Sequence, residues 1–265
     1  MESNKNIVIV PCVALQSKDF GTDYTKWEAL VEIGKNSWDS AVRNVVGADE
    51  VILFHSKLKV KSHQQMERMI LRKCITLHKQ GFNILLLEAD TLCIQEVDIF
   101  SLDLKELQLF SLAGTEDHPS IPGEYNLNSG VVYWPALATK PCDVLIEELA
   151  GEWPDTWAYY QNIWNKAYYS QFSTFEAGLE KLSFLGNGKY NWFYGKTKNQ
   201  IQIKNAVIAH FFTSRGLIRA NKLSNITRRF GIRGFEIAFR FYNSALFLAI
   251  QNFKIKLISK IGLSR

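Results

Sequence analysis

The stretch Asn83-Ile84-Leu85-Leu86-Leu87-Glu88-Ala89-Asp90 decides how this chain folds. Ile84 to Leu87 offers no polar face, which is the pattern of a strand covered on both sides. Working backward, Gly81 stops a helix that begins after Ser62, a possible N-cap, and runs to about Lys79. Met66, Met69, Ile70, Cys74 and Leu77 fall on one face of that helix. Before it, Glu50 to Phe54 reads as another strand, preceded by Gly47 and a helical pattern over residues 27–46. Ile7-Val8-Ile9-Val10, ended by Pro11, reads as the first strand. The order strand, helix, strand, helix, strand predicts a parallel sheet with right-handed crossovers. Ligands of such sheets bind at the carboxyl ends of the strands.

The residues just after Leu87 therefore carry the chemistry. Glu88 and Asp90 place two carboxylates two residues apart at the end of a buried strand. Two acids there are costly unless something compensates them. Hard oxygen ligands at this spacing suit Mg²⁺ or Mn²⁺ holding a diphosphate. A pair of solvated turn acids is the plain alternative. Other chemistries are disfavoured. No GxxxxGK[ST] loop is present for a P-loop NTPase, and no early GxGxxG for a nicotinamide enzyme. Neither HExxH nor a GxSxG elbow occurs.

Two further clusters stand downstream. Tyr125-Asn126-Leu127-Asn128-Ser129-Gly130 leads into the apolar run Val131-Val132-Tyr133-Trp134. It reads as a polar loop entering a strand, with Asn and Ser able to bond hydroxyls and Gly130 allowing close backbone approach. By itself it is an ordinary turn. Ala206-Val207-Ile208-Ala209-His210 ends another apolar strand on an imidazole, which is either a core histidine or a Mn²⁺ ligand.

Taken in order, these clusters resemble the GT-A glycosyltransferases, most of all the glycogenin-like nucleotide-diphospho-sugar transferases. The resemblance covers roughly residues 5–216 in motif order. It implies a Rossmann-like α/β fold, with a mixed, mostly parallel sheet flanked by helices. Glu88-Ala89-Asp90 looks like the family's DxD motif, and His210 like its late metal-binding histidine. The implied metal ligands are Glu88, Asp90 and His210, holding Mn²⁺ or Mg²⁺. The implied donor site comprises Val10, Pro11 and Cys12 under the base, with Arg72, Glu88, Ala89 and the Asn128-Ser129-Gly130 loop. Tyr160-Gln161 through Asn165 resembles the family's Asp-Gln-x-x-x-Asn helix start, which adds Gln161 to the catalytic set beside Asp90.

The chain also departs from the family. Tyr160 replaces an Asp, and Glu88 the first Asp of DxD. Thr213 and Gly216 stand where the family has a Gly and a Lys after the histidine, leaving Arg215 to supply positive charge to the diphosphate. The implied reaction is transfer of a sugar from a nucleotide donor, UDP- or GDP-linked, to a glycan or lipid-linked acceptor. An inverting enzyme needs a carboxylate base; Glu116, Asp117 and Glu124, just before the Asn-Ser-Gly loop, are ranked first, with Asp155 behind them. Two alternatives stay open: a non-catalytic sugar- or membrane-binding module on the same fold, and a sugar nucleotidyltransferase. For the latter, the segment after the first strand lacks the Gly-rich basic loop.

Composition sets the outer bounds. The chain has 265 residues and a net charge of +5, with 47% apolar and 22% charged residues. That balance belongs to a globular protein and excludes disorder and low complexity. Residues 215–265 hold eleven Lys or Arg and one acid, Glu236, for a net +10; residues 1–214 carry twenty bases and twenty-five acids, for −5. The expected organisation is a nucleotide-sugar-binding domain over 1–216 and a basic, amphipathic helical tail over 217–265. Packing on the domain, an anionic membrane surface and a homodimer are the competing roles for the tail. It is too apolar for nucleic acid. Cys12, Cys74, Cys93 and Cys142 form no metal knuckle or CxxC pair. With no signal-like start, the expected location is cytoplasmic, peripheral on the membrane face if the tail binds there.

Overall fold

The computed structural model describes residues 4–11, 45–54, 60, 62–88, 91–102, 104–110, 127–173, 177, 188–193, 203–210, 233–234 and 237–238. A five-stranded sheet forms its centre. Its strands are β1 (Asn6–Pro11), β2 (Glu50–Phe54), β3 (Asn83–Leu87), β5 (Gln108–Leu109) and β6 (Val131–Trp134), in the order β2-β1-β3-β6-β5. β1 runs parallel to both β2 and β3, while β6 runs antiparallel to β3 and to β5. Four of the five strands thus point one way, as the sequence pattern predicts. The all-apolar strands sit inside the sheet: β3 and β6 are neighbours, and Ile84 to Leu87 and Val131 to Trp134 are all buried. β2 lies at an edge and is accordingly more exposed.

Helix α1 (His63–Lys79) spans the expected range. Ser62 is its N-cap and accepts the Gln65 amide at 3.1 Å. Gly81, at φ +83°, takes the left-handed position just beyond it. Helices α2 (Lys140–Ala150) and α3 (Trp157–Tyr169) follow β6. Aromatic contacts tie these layers together. His78 of α1 stacks on Trp134 of β6 at 5.0 Å, and Trp134 meets Trp164 of α3 edge-on at 5.8 Å.

The helical pattern over 27–46 lies outside the described residues up to 44. Its last valines do not continue a helix: Val45 bridges Val97, and Val46 donates to the Val97 carbonyl at 2.9 Å. Gly47 then turns the chain at φ +75°. Of the basic tail, only Arg233, Gly234, Ile237 and Ala238 are described.

A second, three-stranded sheet completes the scaffold. β4 (Thr91–Cys93) pairs antiparallel with β8 (Ile208–His210), and β8 pairs parallel with β7 (Trp192–Phe193). Two registers position the site. Leu87 of β3 pairs with Val131, so β6 begins where β3 ends. Thr91 of β4 pairs with His210, so β8 ends where β4 begins. Glu88, which follows β3, is therefore flanked by the Asn128–Gly130 loop and by His210.

Candidate active site

Glu88 leaves β3 with its backbone still engaged. Its amide donates to the Gly130 carbonyl at 2.9 Å, extending the β3–β6 ladder by one residue. Thr91 returns both its amide, at 3.0 Å, and its hydroxyl, at 2.8 Å, to the Glu88 carbonyl. The carboxylate is thus carried on a fixed backbone at the carboxyl edge of the sheet. Ile9 of β1 pairs with Leu86, so Val10 and Pro11 run out beside Leu87 and Glu88 at the same edge. Val10 is buried and Pro11 half-buried there.

His210 meets Glu88 directly. Its Nε2 lies 3.2 Å from Glu88 Oε2, with the imidazole wholly buried and the carboxylate side chain 37% exposed. On the other side of the ring, Nδ1 lies 3.1 Å from Asn191 Oδ1. Asn191 is itself fully buried and donates to the Phe110 carbonyl at 2.8 Å and to Asn128 Oδ1 at 3.0 Å. Asn128 Oδ1 also accepts the Gly130 amide at 2.8 Å, and its Nδ2 faces Gln161 Oε1 at 3.4 Å. Asn165 clamps the loop from α3: it accepts from the Leu127 amide and donates to the Leu127 and Gln161 carbonyls. The polar loop is thereby a fixed wall and not a loose turn.

Gly130 lies flat against the imidazole. A Cβ built there would fall 2.2 Å from His210 Cε1 and 2.7 Å from Nδ1, closer than atoms can approach. Sequence reading expects Gly130 to permit close approach by a ligand; the structure gives that space to His210.

A buried acid, Glu67, lies within electrostatic reach of Glu88. Glu67 projects from the buried face of α1, with its Oε1 3.1 Å from His63 Nε2. Burial, and then the charge of Glu88, push its carboxyl well above the usual range, opposed by a hydrogen bond with Tyr160. Burial likewise holds His63 down at about 4, against the opposing charge of Asp155. The Tyr160 phenol is pushed well above its usual value by burial, Glu67 and Glu88. Where the resembled family carries an ionised Asp, this chain presents a neutral, buried hydroxyl.

No protein-family model matches the sequence, and no curated protein does. Among solved structures, the chain is similar to the galactosyltransferase LgtC in complex with donor and acceptor sugar analogues. That match has 13% identity and a TM-score of 0.39, over 83% of this chain and 95% of the other. It is similar as well to a glycosyltransferase involved in glycosylation of the major capsid of PBCV-1, at 13% identity and a TM-score of 0.38, covering 83% and 99% of the two chains. An active-site mutant of LgtC matches at 11% identity and a TM-score of 0.36, over 82% and 95%. The structures it resembles are glycosyltransferases, but TM-scores of this size carry no functional weight.

The structure therefore brings together Glu88, Asn128, Gly130, Gln161 and His210, with Val10 and Pro11 along the same edge. Ser129 is buried in the same loop. Arg72 is exposed on α1, off the face that buries Glu67, Leu71 and Cys74. Asp155 is already engaged, its Oδ1 accepting the Gln64 amide at the start of α1 at 2.6 Å. Cys12, Ala89, Asp90, Glu116, Asp117, Glu124 and Arg215 lie outside the described residues. Three residues of the site escape a reading by motif: Asn191, Glu67 and His63. Glu67 leaves a trace in the sequence, as an acid inside the apolar arc of an amphipathic helix. Asn191 leaves none, because it is a lone amide among aromatics.

The donors suit a divalent cation. Among the described residues no group of three His, Cys, Asp or Glu side chains gathers. Glu88 and His210 nonetheless offer one oxygen and one nitrogen 3.2 Å apart. Adjacent ligands of an octahedral ion, each at about 2.1 Å, lie roughly 3 Å from one another. Carboxylate with imidazole is a mixed donor set suited to Mn²⁺.

Proposed function

We propose that this protein transfers a sugar from a nucleoside-diphosphate donor, with a divalent cation held by Glu88, His210 and Asp90. The observation that carries the reading is the meeting of Glu88 and His210 at 3.2 Å, at the carboxyl edge where β1 and β3 end. That edge is where α/β sheets bind nucleotides. The acid-x-acid sequence after β3 places a further carboxylate, Asp90, two positions beyond Glu88.

Each residue has a part. When bound, the cation neutralises the charge that develops on the departing diphosphate. Val10 and Pro11 offer an apolar strand end to the base. Asn128 and Gln161, held by Asn165, form the polar wall that orients the sugar hydroxyls. Arg215 adds positive charge near the diphosphate in this reading. The acceptor is a glycan or a lipid-linked saccharide. The basic segment 217–265 brings the domain to an anionic membrane.

The test is a thermal-shift panel of UDP, GDP, CDP and dTDP, each with and without Mn²⁺, on wild type, Glu88→Gln and Asp90→Ala. Binding to the native state raises the melting temperature by mass action. The expected result is one nucleotide that stabilises only with Mn²⁺, its effect lost in both variants. Equal melting temperatures with and without Mn²⁺ for every nucleotide would overturn the assignment.

A further inference from the structure

Resting on that reading, we propose that Asn191 is the positioning residue of the cation site: it sets the His210 tautomer and turns Nε2 toward Glu88. A chain of hydrogen bonds with unambiguous ends fixes the atoms. The Gly130 amide can only donate, so the Asn128 atom 2.8 Å from it is the oxygen. The Phe110 carbonyl can only accept, so the Asn191 atom 2.8 Å from it is the nitrogen. These two ends agree, because Asn191 Nδ2 also donates to Asn128 Oδ1 at 3.0 Å. Asn191 Oδ1 is then the atom that faces His210 Nδ1 at 3.1 Å. An oxygen accepts, so Nδ1 carries the proton.

The consequence falls on the far side of the ring. A neutral imidazole protonated at Nδ1 has its lone pair at Nε2. That lone pair faces Glu88 Oε2, itself an acceptor, across 3.2 Å. Two acceptors at that distance require a proton or a cation between them. The opposite tautomer would aim an N–H at Glu88 and occupy the lone pair that a cation needs. Asn191 thus does for His210 what partner carbonyls and carboxylates do for metal-ligating histidines generally. Flipping its amide would turn Nδ2 onto Nδ1–H and leave Oδ1 against two acceptors, so burial among Phe110, Asn128 and His210 holds one orientation.

The test reads the ring without any cation. Long-range ¹H–¹⁵N spectra of protein labelled at the histidine nitrogens, taken under alkaline conditions where the ring is neutral, report which nitrogen is protonated. His210→Gln assigns the signal. Wild type should show Nδ1 protonated, and Asn191→Ala should mix the tautomers. Calorimetric titration with Mn²⁺ alone should show binding weakened roughly 10- to 100-fold in Asn191→Ala. A wild type protonated at Nε2, or an Asn191→Ala spectrum matching wild type, overturns the proposal. The wild-type spectrum decides even if the Ala variant fails to fold. An Asn191-dependent tautomer in a protein that takes no Mn²⁺ would uphold the role of Asn191 and overturn only the cation reading.

Discussion

Gly130 shows how a single residue shapes this site. Its hydrogen is the only substituent that fits between the loop backbone and His210. Alanine would place a methyl group 2.2 Å from Cε1 and 2.7 Å from Asn128 Oδ1. The ring cannot swing aside freely, because Asn191 holds it and it is wholly buried. Gly130→Ala should therefore cost about 1–3 kcal/mol by overpacking, read from urea denaturation, and should abolish Mn²⁺-dependent stabilisation. Glu67 makes a different prediction. Its raised carboxyl keeps a proton in the folded state that the unfolded chain releases above about pH 4.5. Stability from this group is lost as pH rises. His63 has the opposite sign: the unfolded imidazole protonates below 6.5 and the folded one only near 4, so its contribution is lost as pH falls. The two oppose one another between these values. Glu67→Gln keeps a neutral polar group but cannot ionise. Above pH 6.5, where His63 is neutral in both states, urea midpoints should decline with pH for wild type and stay level for Glu67→Gln. Equal slopes would show that Glu67 is ionised in the folded protein.

Helix α1 illustrates how elements hold the site edge in place. Its amino-terminal turn is capped twice: locally by Ser62 on the Gln65 amide, and across 91 residues by Asp155 on the Gln64 amide. Gln64 also bonds the Trp153 carbonyl through its side chain, and Arg68 lies over the Trp153 ring at 4.8 Å. This anchors the turn that carries His63 and Glu67. Asp155→Ala and Ser62→Ala should each destabilise by about 1 kcal/mol, as lost caps do. Neither should change nucleotide affinity by more than about twofold, since neither cap reaches Glu88 or His210. A much larger loss of affinity in Asp155→Ala would instead give that acid the acceptor-side role its sequence position allows.

At the scale of the molecule, charge asymmetry is the feature with a consequence. Residues 215–265 carry a net +10 and the remainder of the sequence a net −5. Apolar side chains interleave with those bases, from Phe230 to Leu263. Charged side chains interrupt the apolar runs of this segment, so the proposed association is interfacial. The full chain should float with vesicles containing phosphatidylserine and not with pure phosphatidylcholine, and salt should weaken the binding. Salt-insensitive binding to both would mean apolar insertion without charge recognition. No binding to either would return the segment to packing or self-association.

Local pattern determined a good part of this protein. Strand β3 over Asn83–Leu87, β2 over Glu50–Phe54 and α1 from its Ser62 cap to Lys79 follow from periodicity and capping, which are properties of neighbouring residues. The acid at the end of β3, the Asn-Ser-Gly loop and the strand-ending His210 were each legible as a polar break in an apolar run. Their convergence was not. It depends on the antiparallel insertion of β6 beside β3 and on the pairing of β4 with β8, contacts between segments up to 119 positions apart, from Thr91 to His210. Only the tertiary structure could show that Gly130 makes room for an imidazole, that Arg72 faces outward, and that Asn191 orients His210. Those facts arise from packing and hydrogen-bond geometry between distant residues, which no local spacing encodes.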